Sequence, residues 1–301
     1  MGGLPDYPRT RTEFDKMFAT EADCVAFLVH MRWSGAYICP SCGHGEWWLT
    51  SRMYVCCSKC RRQHSLKAGT LLQGTRLPLK TWFQIGWYFC EQKNGISALG
   101  LQRSMGFGGY HTAWEWLHRM RQAMTQSGRD KLSGTVEVDE AFIGGVKPGV
   151  RGRGALGKAK IFVAAEDRGS AIGRIRLMVI PNTTAATLLT AVDTLIDKRS
   201  HVVTDGNSAY LPLSVCGYGH TVATPATHGK NVVPKAHRVI ALLKRWLLGT
   251  HQGAVNHDRL QSYLDEFVFR FNRRSSGSRG LLFFRLMEQV VKTSPITRDN
   301  L

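Results

Sequence analysis

The spacing of apolar positions changes along the chain, and the changes divide it. Over residues 11–32, Phe14, Met17, Phe18, Ala22, Cys24, Val25, Phe27, Leu28 and Met31 recur at mixed steps of three and four, which predicts one helix packed on the neighbouring segment. Residues 33–66 lose that period, and their short polar and aromatic segments, with Trp47, Trp48 and Tyr54, suit hairpins. An aromatic helix comes next, over Leu79–Gln92. Ser97–Ser104 and Tyr110–Met124 read as two more helices about the turn Met105-Gly106-Phe107-Gly108-Gly109. That is the pattern of a helix-turn-helix, and equally of many small helical subdomains that read no DNA.

From residue 134 the texture becomes strand-rich. Thr135–Asp139, Ile161–Ala165 and Ile175–Ile180 read as strands, Thr184–Ile196 as an amphipathic helix, and His201–Thr204 as a fourth strand ending at Asp205. Thr221–Ala223 is a candidate fifth strand, before helices over His237–Leu248 and Leu260–Arg273. Three strands, a helix, a strand and then helices is the element order of a ribonuclease-H-like α/β core.

Composition adds a partner class. The 301 residues are 43% hydrophobic, enough for two or three modest cores. Forty Lys and Arg against 22 Asp and Glu give a net charge of +18, spread along the chain, which favours nucleic acid over a membrane surface or an acidic ligand. No run of eighteen apolar residues occurs, and Asp6, Glu13, Asp15 and Glu21 interrupt the first thirty residues where a signal peptide would be basic and then apolar. The expectation is a cytoplasmic protein without membrane contact.

Five of the eight cysteines fall between Cys39 and Cys60, which in a reducing compartment points to metal and not to disulfides. Cys39-Pro40-Ser41-Cys42 and Cys57-Ser58-Lys59-Cys60 are two Cys-x-x-Cys pairs with 14 residues between them, the spacing of a four-thiolate zinc ribbon. Cys56 is a competing ligand, but Cys57 to Cys60 is the more usual spacing; His44 and His64 are left out as well. One structural Zn²⁺ per chain is expected, with no coordination position open to substrate. Lys59, Arg61, Arg62 and Lys67 crowd the second pair and suit phosphate contacts, a solvated charged face being the competing account.

Asp139, in Glu137-Val138-Asp139-Glu140, and Asp205, in Thr204-Asp205-Gly206-Asn207, both end strands that lie side by side in this fold order. Two such carboxylates suit Mg²⁺ or Mn²⁺, which take oxygen ligands and assist phosphodiester chemistry. Between them lies a glycine-rich basic loop, Gly144–Lys160, with Lys147, Arg151, Arg153 and Lys158. Its Gly152-x-Gly154-x-x-Gly157 leads into a strand and not a helix, so it is no dinucleotide fingerprint, and a loop that grips DNA phosphates fits better.

Taken together, several stretches resemble the bacterial insertion-sequence transposases of the ISXO-like type, which join a zinc ribbon to a DDE-like core. They are the two cysteine pairs, with the second running on to Ala68-Gly69-Thr70, Val138-Asp139-Glu140 through Gly144-Gly145, Thr204-Asp205-Gly206, Leu242-Leu243-Lys244-Arg245, and Tyr263-Leu264-Asp265-Glu266-Phe267 through Arg270-Phe271-Asn272-Arg273-Arg274. The likeness spans residues 20–285. It implies Asp139 and Asp205 as the first two catalytic metal ligands and a third ligand seven residues before a lysine. That lysine matches Lys244, expected to contact DNA phosphate with Arg245 beside it, a solvated helix face being the competing account; the third position is then His237, where many relatives are expected to carry Glu or Asn. It also implies double-stranded DNA, at element ends and at the target, as partner, a homodimer or higher homo-oligomer, and a place near the nucleoid. The expected layout is a multidomain α+β chain: an N-terminal helix (1–32), zinc ribbon (33–70), helix-turn-helix-like region (71–130), ribonuclease-H-like catalytic domain (131–275), then a C-terminal helix and mobile tail (276–301). The rivals are a DNA-binding regulator with an inactive core and a nuclease that cuts without joining.

Overall fold

The computed structural model describes residues 6–33, 37–125, 130–144, 158–229, 231–253 and 255–296. Their contacts divide the chain into two compact units, Met1–Gln126 with Ser276–Leu301, and Ser127–Ser275.

In the first unit the helix expected over residues 11–32 is two, α1 (Arg11–Met17) and α2 (Glu21–Arg32). The break is chemical: the Thr20 hydroxyl accepts the Asp23 N–H at 3.2 Å while the Asp23 carboxylate accepts the Thr20 N–H at 2.7 Å. This capping box starts a new helix in the middle of a continuous apolar period. The ribbon is an antiparallel sheet in the order β1 (Trp47–Leu49), β2 (Tyr54–Cys57), β3 (Gln63–Ser65). Then come α3 (Leu79–Glu91), α4 (Ala98–Met105), capped by Ser97 and ended by left-handed Gly106, and α5 (Tyr110–Met124).

The last helix of the chain, α10 (Arg279–Lys292), returns to this unit. Its Phe283 is fully buried, with Phe14 at 5.5 Å, Phe18 at 5.9 Å, Phe83 at 5.9 Å and Trp87 at 5.7 Å between ring centroids. An aromatic set drawn from α1, α3 and α10 is therefore one core built from both ends of the chain.

The second unit is a five-stranded sheet ordered β6-β5-β4-β7-β8, with β4 (Thr135–Ile143), β5 (Ala159–Arg168), β6 (Ala171–Ile180), β7 (His201–Thr204) and β8 (Gly219–Val222). β4, β5 and β6 pair antiparallel, whereas β4–β7 and β7–β8 pair parallel. Because the sheet turns parallel at its centre, the chain needs a helical crossover there, and α6 (Ala185–Leu195) supplies it. After β8 comes the single-turn α7 (Pro225–His228). Helices cover both faces. Ala141, Ile143, Val163 and Ile175 pack with α8 (Pro234–His251) and α9 (Leu260–Phe271). Val136, Val138, Phe162 and Val202 pack with Leu188, Ala191 and Val192 of α6. This strand order, sense and layering is ribonuclease-H-like.

The free edge of β6 is closed by side chains of α9 and its C-cap. Gln261 accepts the Val179 N–H at 2.8 Å and donates to the Leu177 carbonyl, and Asn272 accepts the Ile175 N–H at 2.8 Å and donates to the Ile175 carbonyl.

Strand β4 is longer than expected, so Asp139 stands in mid-strand and not at a strand end. The pairing explains why it is nonetheless open on one side. β4 pairs with β5 from Val136 to Ile143, but with β7 only from Thr135 to Glu137. Beyond Glu137 one flank of the strand has no partner strand among the described residues.

Packing in each unit can be tested separately. Phe283→Ala should lower the stability of the first unit by about 3–5 kcal/mol, the usual cost of emptying a buried phenylalanine site, measured by denaturant unfolding; a loss under about 1 kcal/mol would mean that α10 is not part of that core. Glu166, 1% exposed, tests the second unit. Burial alone would push its carboxyl up, but hydrogen bonds from Arg174, Arg168 and the Ser133 N–H outweigh it and hold it below the usual glutamate range. Gly173 makes room, since a Cβ there would lie 2.8 Å from Glu166 Cβ. A lowered folded-state pKa gives stability that is complete above the unfolded value, about 4.3, and is lost as pH falls through the folded one. Glu166→Gln should therefore flatten the acid limb of the stability–pH curve, and an unchanged limb would refute the assignment.

Candidate metal centres and active site

Each ribbon cysteine pair forms a tight turn whose residue after the second cysteine is left-handed. Gly43, at φ +71°, donates its N–H to the Cys39 carbonyl at 2.8 Å; Arg61, at φ +60°, donates to the Cys57 carbonyl at 3.1 Å. Glycine takes this conformation at no steric cost, whereas Arg61 takes it with its guanidinium over the Trp48 ring at 5.0 Å. The turns bring the sulfurs together: Cys39 to Cys60 is 3.7 Å, Cys42 to Cys57 is 3.6 Å, and all four lie within 4.8 Å of one another. A tetrahedron with metal–sulfur arms of about 2.3 Å has edges of about 3.8 Å, so the quartet fits such an ion. Burial pushes the Cys39 thiol up, but the Ser41 and Cys42 N–H groups and the His64 ring bring it down to about 5. Cys56 is buried outside the quartet, its thiol 3.4 Å from the Arg61 carbonyl, and His64 stands 3.7 Å from the Cys39 sulfur as a hydrogen-bond partner.

In the second unit, alternation along β4 sends Glu137 and Asp139 to the α8 face and Glu140 to the α6 face. Asp205 comes directly after β7, and continuing the Glu137–Val203 register by two residues sets it beside Asp139. Its carboxylate accepts the Asn207 N–H at 3.0 Å. Burial, and then the neighbouring Asp205 charge, push the Asp139 carboxyl up against the pull of the Glu140 N–H, His237 and Lys244. His237, in the first turn of α8, points Nε2 at Asp139 Oδ2 at 3.2 Å, while its Nδ1 bonds the side-chain oxygen of Asn231.

His237, Ile240, Ala241 and Lys244 form one face of α8 and, with Asp139, Glu140 and Lys158, line a cleft of about 480 Å³. Asp205 lies outside that lining. Among the described residues the cysteine quartet is the one set of metal-type donors that close within 4.8 Å of each other; Asp139, Asp205 and His237 are more loosely set. Two carboxylates, one mostly buried and raised by the other, are nonetheless the donor chemistry that a hard cation relieves.

Sequence reasoning missed the residues that hold these three. Glu137 Oε2 accepts the N–H groups of Lys235 and Ala236, and Lys235 Nζ bonds Asp167 of β5 at 2.9 Å. Glu140 accepts the hydroxyl of buried Tyr210 and, at 3.4 Å, the amide of Asn207, so it ties the segment after Asp205 to β4. Burial first, and the Glu140 carboxylate next, push the Tyr210 phenol up, so it stays a donor. The only sequence sign of Glu137 is its two-residue spacing from Asp139.

Of the basic candidates, Lys59, Arg61 and Arg62 are exposed on the second cysteine turn, and Lys244 and Arg245 on α8. Lys67 is half-buried, and its ammonium donates to the Leu77 carbonyl at 3.2 Å. Burial lowers its pKa. Lys147, Arg151 and Arg153 lie outside the described residues. Among those described, no helix is long and apolar enough to cross a membrane.

Residues 131–272 match the ISXO2-like transposase domain, and residues 19–63 match the transposase zinc-ribbon domain. An uncharacterized protein in transposable element ISH50 of Halobacterium salinarum is 29% identical over 289 residues, covering 85% of this chain and 92% of that protein. Among solved structures, the catalytic core domain of BIV integrase is similar at 20% identity and a TM-score of 0.32, over 49% of this chain and 89% of that one. In this order the chain carries a stretch matching the transposase zinc-ribbon domain and a stretch matching the ISXO2-like transposase domain.

Proposed function

We propose that this transposase cuts and joins DNA in the transposition of an insertion sequence, with Asp139, Asp205 and His237 as ligands of Mg²⁺ or Mn²⁺. The observation that carries the reading is the pair of carboxylates at adjoining places in the sheet, Asp139 on β4 and Asp205 just after β7, with His237 of α8 aimed at Asp139. A divalent ion bound there supplies Lewis acidity, which makes water a nucleophile and stabilises the departing oxygen. Water attacks phosphorus at the element end and the bond from phosphorus to the 3′ oxygen breaks; the freed 3′-hydroxyl then attacks a target phosphorus in line, and the target strand's own 3′ oxygen departs as a hydroxyl. The Asn231 side-chain oxygen accepts a hydrogen bond from His237 Nδ1–H and so leaves Nε2 facing Asp139. Lys244, two turns along α8, meets the phosphate near the bond that breaks, with Arg245 beside it.

In the ribbon, Cys39, Cys42, Cys57 and Cys60 hold one structural Zn²⁺ and present Lys59, Arg61 and Arg62 to double-stranded DNA. Lys158 reaches phosphate from the cleft wall, and Lys147, Arg151 and Arg153 share that role in the basic loop. Lys67 has the weaker claim, because its ammonium already serves a carbonyl of its own chain. Pairing two element ends calls for a homodimer or larger assembly.

Purified protein should contain about one zinc per chain, and Cys57→Ser should lower that content and loosen the ribbon, read by metal analysis and limited proteolysis. A fully folded ribbon without metal would refute the zinc assignment.

Asp139→Asn and Asp205→Asn should each cut cleavage of element-end DNA by more than about 100-fold, beyond the loss usual for an outer-sphere partner, with DNA binding nearly unchanged. Wild-type nicking by either variant would overturn the site. Cleavage without strand-transfer product in the wild type would make the chain a nuclease.

A further inference from the structure

Helix α8 begins in an unusual way. Its first residue, Pro234, has no N–H, and its N-cap, Val233, is buried and offers no side-chain acceptor. The next two N–H groups, of Lys235 and Ala236, have no carbonyl within the helix to bond. A helix normally meets that need locally, with Ser, Thr, Asp or Asn at the N-cap. Here the acceptor comes from 98 residues earlier: Glu137 Oε2, on the central strand, takes Lys235 N–H at 2.6 Å and Ala236 N–H at 3.0 Å. Glu137 is 4% exposed and Ala236 fully buried, so water cannot replace either partner. Lys235 Nζ adds contacts to Glu137 Oε1 at 3.7 Å and to Asp167 of β5 at 2.9 Å.

The place of this clamp matters. Ala236 and His237 are consecutive on the helix, and Glu137 and Asp139 are successive residues on one face of the strand. The Glu137–Ala236 bond and the 3.2 Å His237–Asp139 contact are therefore neighbouring rungs between the same two elements. Two fixed rungs set both the rise and the rotation of the first turn. Since a helix is rigid over two turns, they set the direction of Lys244 as well.

We propose that Glu137 is a positioning residue: by capping α8 across the fold it sets His237 against Asp139, while touching neither DNA nor metal itself. The proposal rests on the catalytic reading given above. Its requirement is reach and an acceptor oxygen, not charge. Glu137→Gln keeps both. Glu137→Asp keeps the charge but withdraws the acceptor by one methylene.

The test compares Ala, Asp and Gln at position 137 in the full chain, at a temperature where each is folded by circular dichroism. Hydrogen exchange should show faster amide exchange over residues 235–238 in the Ala and Asp variants, near-native protection in Gln, and unchanged protection in β4 and β5. Cleavage kcat should fall by about 10–100-fold in Ala and Asp with KM for DNA held, the loss typical of a residue that orients a ligand, and recover in Gln. In a His237→Ala background, Glu137→Asp should cost little more, because both changes undo one arrangement. Native protection at 235–238 in both Ala and Asp, wild-type kcat in a folded Asp variant, a Gln variant as impaired as Asp, or fully additive losses with His237→Ala would each overturn the proposal. If His237→Ala cleaves like wild type, the catalytic reading of His237 fails instead, and the exchange data still decide whether Glu137 anchors the helix.

Discussion

Successive side chains of a strand leave opposite faces, and on β4 that geometric constraint distributes the work of the second unit. Asp139 and Glu137 share a face, so the carboxylate beside Asp205 and the carboxylate that receives α8 cannot be set independently. Glu140, one residue on, goes to the other face and holds Tyr210 and Asn207, and through them the segment after Asp205. A one-residue slip in the β4–β5 register would send all three acids to the wrong layer and bury Val138 among polar groups. The apolar pattern that fastens the register is therefore also what keeps the chemistry in place.

The two candidate metal centres solve opposite problems. In the ribbon the ligands flank two short turns, each closed by its own backbone hydrogen bond, and the pairing of β1 with β2 fixes the second turn through Cys57. In the core the donors come from β4, the end of β7 and the start of α8, and no local turn relates them. Their relative placement is paid for by buried hydrogen bonds between elements, which the sequence does not advertise as pairs.

That difference explains what is legible in the sequence and what is not. The strands and helices of the core emerge from their periods, and the cysteine quartet from spacing alone, because each is a local property. Thr20 is legible too, as Thr-x-x-Asp, but a capping box inside an unbroken apolar period is easily overrun by the stronger pattern. Asp139 reads as a strand end because the residues beyond it are mixed; what ends there is the pairing with β7, and pairing belongs to two strands at once. Glu137 reads as one more acid beside a more interesting one, and Phe283 as one more apolar helix position. An amphipathic face states that something covers it without naming the partner, so the return of α10 to the N-terminal unit has no sequence signature.

The side-chain amides along β6 have a separate consequence. An exposed outer strand is a template on which any extended segment can continue the sheet. Gln261 and Asn272 occupy the donor and acceptor sites at Ile175, Leu177 and Val179 that an incoming strand would need. On that side the sheet is finished, so self-association there cannot run on as an open-ended β-fibre.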